Sequence, residues 1–114
     1  MDLYECRLVL PHYTQHGLHV DHTVQPWLEK ALVQKFGGFN AYHSWGSGAM
    51  KDGSNKGESG ITYDVALSPP DYSKLVLIAL GVLRRADQET VYTRDPKGRA
   101  WIGANAIELG LGAL

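Results

Sequence analysis

The sequence predicts an α+β domain in which a four-stranded antiparallel sheet carries two helices on one face. Three observations predict it. Apolar residues recur first with period two, then with period 3.6, and the alternation repeats to give strand, helix, strand, strand, helix, strand. Both helical stretches open beside prolines, Pro26 and Pro69–Pro70, which fit a first helical turn where no backbone donor is needed. Between the helices, FGGFNAYHSWGSGAMKDGSNKGESGITYDVAL (residues 36–67) reads as two strands joined by a long glycine-rich loop.

The first strand is Leu3 to Leu10, with Tyr4, Cys6, Leu8 and Leu10 on one face and Glu5 and Arg7 on the other; Pro11 ends it. Residues 12–22 form a loop holding four of the five histidines. A helix enters near Thr23–Gln25, aligns Trp27, Leu28, Ala31, Leu32 and Phe36 on one stripe, and stops at Gly37–Gly38. The second strand runs from Phe39 to Trp45 and the third from Ile61 to Leu67, with Ile61, Tyr63, Val65 and Leu67 inward. Ser68 is a natural cap for the second helix, whose buried stripe is Leu75, Val76, Ala79, Val82 and Leu83. Arg84 and Arg85 suit its C-terminal end, where cations are favoured. Gln88 to Arg94 is the fourth strand, residues 95–98 are a turn, and Arg99 to Ile102 is a short returning strand.

Two helices on one face of such a sheet give the ferredoxin-like βαββαβ plait, with strand order 4-1-3-2. The alternative is an α+β arrangement in which residues 99–114 add a fifth strand. Residues 1–104 read as one domain and residues 105–114 as an apolar, glycine-rich tail placed at an oligomer interface. A sheet covered on one face leaves the other open, so a homo-oligomer is expected.

Composition narrows the function classes. The 114 residues suffice for one core, and the 44% apolar and 20% charged content is that of an ordinary globular domain. A net charge of -1 argues against non-specific nucleic-acid binding, which needs a basic footprint. No run approaches the roughly 20 apolar residues of a membrane helix. One cysteine, in a strand pattern, makes no internal disulfide. The N-terminus shows no signal-peptide pattern, so a cytoplasmic location in a bacterial or phage-infected cell is expected.

The run FGGFNAYHSWGSGAMKDG, Glu58 before ITYDVAL, and the later QETVY resemble a small uncharacterised family of ferredoxin-like bacterial and phage proteins. The resemblance covers residues 36–94. The histidine-rich first loop and the C-terminal tail depart from it. It implies the fold and transfers no activity.

In a βαββαβ order one end of the sheet collects residues 12–22, 45–58 and 84–89. Loops held by a rigid sheet are where binding residues gather. The candidate ligand-binding residues there are His12, His16, Trp45, Lys51, Glu58, Arg84 and Gln88. Gly46, Gly48 and Gly53 would let backbone N–H groups approach an anion that Lys51 or Lys56 neutralises, although the spacing is not a Walker loop. The histidine loop matches no metal-site spacing, so no metal and no cofactor are assigned. No nucleophile motif occurs, so no catalytic residue is assigned. The chain therefore reads as a non-enzymatic binding protein for a small anionic, nucleotide-like molecule, in a phage a means of sequestering an immune signal. Two other readings stand beside it: a metal-assisted hydrolase using the His12–His22 loop, and a protein-binding inhibitor or adaptor.

Overall fold

The computed structural model describes residues 2–49 and 55–113. The chain runs β1 (Tyr4–Pro11), α1 (Val24–Phe36), β2 (Asn40–Ala49), β3 (Asn55–Leu67), a 3-10 turn (Pro69–Asp71), α2 (Tyr72–Arg85), β4 (Val91–Arg94), β5 (Ala100–Gly103) and a last 3-10 turn (Leu111–Ala113). The strands form one antiparallel sheet in the order β2-β3-β1-β4-β5.

Alternation decides which side each strand residue faces. In β1 and β3, Cys6, Leu8, Leu10, Ile61, Tyr63, Val65 and Leu67 are buried beneath the helices. α1 contributes Val24, Leu28 and Leu32, and α2 contributes Tyr72, Leu75, Val76, Ala79 and Val82. Burying each such aliphatic side chain is worth about 1.5–3 kcal/mol, and this layer supplies the driving force for folding. Helix α1 ends where Gly37 takes a left-handed φ of 85° and its N–H reaches the Val33 carbonyl at 2.9 Å. A residue bearing a Cβ adopts that conformation only at a cost.

The structure differs from the sequence expectation in four places. The sheet has five strands, not four: Ala100–Gly103 pairs with β4 along its full length and becomes the edge. Strands β2 and β3 run far into the glycine-rich stretch, pairing from Asn40↔Asp64 to Ala49↔Asn55. That ribbon extends beyond the end of β1, whose last pair is Pro11↔Gly60, so neither face carries the apolar alternation that marks a covered strand. Strand β4 begins only at Val91, because residues 86–90 are used in turning the chain out of α2. Ser68 makes no side-chain cap; a 3-10 turn separates it from α2, and its carbonyl receives the Asp71 N–H instead.

The segment after β5 folds back on its own chain. Leu109 is fully buried, and the buried Tyr72 hydroxyl donates to its carbonyl at 2.7 Å while sharing a second hydrogen bond with Thr93. Burial pushes the Tyr72 phenol up to about 12. Beside it, Asp95 is buried and holds the β4–β5 turn closed. Its Oδ1 accepts the Lys97 and Arg99 N–H groups at 2.8 and 3.0 Å, and its Oδ2 accepts the Trp101 indole N–H at 2.9 Å. No helix is long and apolar enough to cross a membrane among the described residues.

Candidate functional site

The end of β1, the start of α1, the β2–β3 ribbon and the α2–β4 connection lie at one end of the sheet. There the 12–22 segment folds into a small ordered loop. Thr14 N–H donates to the Leu18 carbonyl at 2.7 Å, Val20 N–H donates to the His12 carbonyl at 2.9 Å, and the Tyr13 and His19 rings stack at 4.7 Å. Asp21 joins the loop to α1 by accepting the Thr23 N–H and hydroxyl at 2.8 and 2.6 Å. Those two bonds hold its carboxyl below the usual range. The α2–β4 connection anchors the loop from the other side. Asp87 has a left-handed φ of 49°, its carbonyl accepts the Gln15 N–H, and its carboxylate accepts the Gln15 amide at 2.7 Å. Gln88 donates to the Tyr13 carbonyl at 2.8 Å.

A pocket of about 290 Å3 opens between this loop, β1, β3 and the first turn of α1. Leu10, Val20 and Ile61 form its apolar wall, and His12, Asp21 and Gln25 supply polar groups. An apolar wall with a few convergent polar groups is the usual build of a small-molecule site. His12 shares a 3.2 Å hydrogen bond with Ser59, and its ring lies 5.6 Å from that of His43. The register puts His43 opposite Ile61 and Trp45 opposite Ser59. His43, Ser59 and Trp45 therefore continue the helix-side face of the sheet outward from the pocket, and Trp45 is 75% exposed.

The structure separates the sequence candidates. His12 lines the pocket, and Trp45 lies on the ribbon that extends it. His16 points into solvent near Asp87, and Glu58 is exposed on the opposite face of the ribbon, level with Gly46. Gln88 is spent on tying the loop to α2. Arg84 is exposed in the last turn of α2, and its neighbour Arg85 stacks over Trp27 at 4.3 Å. Lys51 lies outside the described residues. Sequence reasoning misses His43, Ser59 and Gln25. Strand parity was the available signal for His43, since it shares a face with Trp45.

Several chemistries are closed or narrowed. Cys6 is fully buried in β1, and burial pushes its thiol up to about 12, which makes it inert as a nucleophile. Among the described residues no three His, Cys, Asp or Glu side chains come together as a metal site requires. His22 is almost wholly exposed, and Asp21 is already bonded to Thr23. A melting temperature unchanged by EDTA is therefore expected; a large drop reversed by zinc is the contrary outcome. The anion argument also weakens. Among the described residues this end carries Asp21, Glu58, Asp87 and Glu89 against Lys56, Arg84 and Arg85.

The architecture defines a class: α+β proteins with two helices on one face of an antiparallel sheet and their loops gathered at one end. Within that class the chain shares its fold with phage SAM lyase. The structure of that protein in complex with S-methyl-5'-thioadenosine matches with a TM-score of 0.65 and 13% sequence identity, covering 89% of this chain and 88% of that one. Its apo state matches with a TM-score of 0.61 and 13% identity, over 87% and 86% of the two chains. No family model matches the sequence, and no curated protein matches it.

Proposed function

We propose that this chain binds a small nucleoside-type molecule, of the S-adenosylmethionine and S-methyl-5'-thioadenosine class, at the His12 pocket and the ribbon beside it. The observation that carries the reading is Trp45. It is three-quarters exposed on the same face as His43 and opposite Ser59, which is hydrogen-bonded to the pocket residue His12, and fold stability gives no reason for an indole there. An exposed aromatic ring beside a half-apolar pocket suits a purine, and stacking of a base on such a ring is worth about 1–3 kcal/mol. The fold shared with a protein held in complex with S-methyl-5'-thioadenosine supports the ligand class. Four carboxylates against Lys56, Arg84 and Arg85 leave this end, among the described residues, without the positive excess that a polyphosphate needs. The sequestration reading is thus kept with a different ligand charge: in a phage-infected cell, such a protein lowers the free level of a host nucleoside metabolite.

Calorimetric titration with S-methyl-5'-thioadenosine, S-adenosylmethionine and ATP tests this. Both nucleosides should bind more tightly than ATP. Trp45→Ala should weaken nucleoside binding at least tenfold, equivalent to about 1.4 kcal/mol, with an unchanged melting temperature. Equal binding by Trp45→Ala, or binding of ATP alone, rejects the proposal. S-methyl-5'-thioadenosine is S-adenosylmethionine without its amino-acid chain. Its release from S-adenosylmethionine in molar excess over protein, read by mass spectrometry, would make the chain an enzyme rather than a sequestering protein.

A further inference from the structure

We propose that Glu29 is a positioning residue for the His12 pocket. It holds the side-chain amide of Gln25 with its oxygen toward the cavity, where Gln25 and Asp21 together accept hydrogen bonds from an amino group of the ligand. This rests on the nucleoside reading above and deepens it. Two groups in that ligand class have the chemistry: the exocyclic amine of adenine and the ammonium of an amino-acid chain.

The arrangement starts in the core. The Tyr63 ring is fully buried on β3 and packs edge-on against Phe39 at 5.3 Å. A buried phenol needs a hydrogen-bond partner. The Tyr63 hydroxyl finds one across 34 residues, donating to Glu29 Oε2 at 2.7 Å. Burial, and then the hydrogen bond to Glu29, push this phenol well above its usual value, so it stays a donor. Half-buried Glu29 is thus fixed from the sheet, and not only by its neighbours on α1. The same Oε2 accepts the Gln25 Nε2 at 2.9 Å, one helical turn back.

Gln25 lines the pocket and Glu29 does not. A carboxylate oxygen only accepts, so the amide turns its nitrogen to Glu29 and its oxygen away, to the cavity side. Asp21, the carboxylate in the pocket wall, is held by the Thr23 N–H and hydroxyl on Oδ1 and is likewise an acceptor. The other polar side chains of the wall, Tyr13, His12, His19 and His22, both give and take hydrogen bonds. Gln25 and Asp21 therefore set the sense of the site. An amino group brings N–H donors to both. A 6-oxo purine or a phosphate would set oxygen against oxygen.

Calorimetric titration tests the proposal with two pairs of probes, each pair differing by one amino group. S-methyl-5'-thioadenosine is paired with the purine nucleoside that carries hydrogen in place of the 6-amino group. S-adenosylmethionine is paired with its analogue lacking the side-chain amine. In the wild type one pair should lose at least tenfold in affinity with the amine, equivalent to about 1.4 kcal/mol, and that pair identifies which amine the pocket takes. The ratio should shrink severalfold in Glu29→Gln, which lets the Gln25 amide turn over. It should shrink likewise in Gln25→Ala, at an exposed position that gives a reading independent of Glu29. A merely structural loss would weaken both members of a pair and leave the ratio unchanged, and circular dichroism reports whether each variant is folded. Probes that bind with no preference for the amine overturn this proposal and leave the nucleoside reading standing. So does a preference that both variants retain. Failure of every probe to bind overturns both.

Discussion

Trp27→Ala should lower stability by about 3–5 kcal/mol, the usual range for truncating a packed aromatic ring. Trp27 sits one residue beyond Pro26 in α1 and bridges the two helices. Its indole lies against the backbone of Gly81 in α2, and the Arg85 guanidinium covers it at 4.3 Å. Truncation leaves a hole that α2 cannot fill, because its facing residue has no side chain. Gly81 makes the test sharper. A Cβ at that position would stand 2.5 Å from the indole Cη2, so Gly81→Ala alone should destabilise the wild type. With Trp27 removed the clash is gone and only the helix preference of alanine remains. Gly81→Ala should then stabilise the Trp27→Ala variant by about 0.5–1 kcal/mol. Chemical denaturation of the four proteins reads this change of sign, and the same sign in both backgrounds would place Trp27 away from Gly81.

Asp95→Asn should cost about 2–3 kcal/mol at neutral pH and make the protein less sensitive to acid. The buried carboxylate accepts three N–H groups, and hydrogen bonds to a charged acceptor are worth about 1.5–3 kcal/mol. Burial alone would raise its pKa, but the indole of Trp101, the backbone N–H groups of Arg99 and Lys97 and the Arg99 charge outweigh it, and the net shift is downward. A folded pKa below the unfolded value of about 3.9 means the stabilisation is complete above that value. It is lost as the pH falls through the folded pKa. The gap in melting temperature between wild type and Asp95→Asn should therefore be constant above about pH 5 and shrink toward pH 2. A gap that ignores pH would show that the carboxylate carries no net charge-dependent stabilisation.

Most of the architecture was written in periodicities that depend on burial. Leu8, Leu10, Tyr63 and Val65 alternate because one face of their strands is covered, and Leu28, Leu32, Leu75 and Val82 recur helically for the same reason. Gly37 marks a helix end because its φ is left-handed. Where no face is covered, that signal fails. The outer ribbon from Trp45↔Ser59 to Ala49↔Asn55 is a strand pair held by backbone hydrogen bonds, to which its glycine-rich sequence gives no witness. The edge strand β5 was visible only as a short returning segment, since four residues beside a turn carry too little alternation to count.

The site divides along the same line. Residue order alone brought the 12–22 loop, the ribbon and the 84–89 segment to one end, because an antiparallel sheet leaves no other place for them. Local chemistry also singled out His12 and Trp45. What side chains do there is a matter of distances between parts of the chain far apart in sequence. Gln88 is consumed 75 residues from its partner Tyr13, His12 leans on Ser59 across 47 residues, and Arg94 lies opposite Arg7 with no acid of its own. A chain pattern records which groups prefer burial. Which polar groups are satisfied, and which are left over, is decided when the strands come into register.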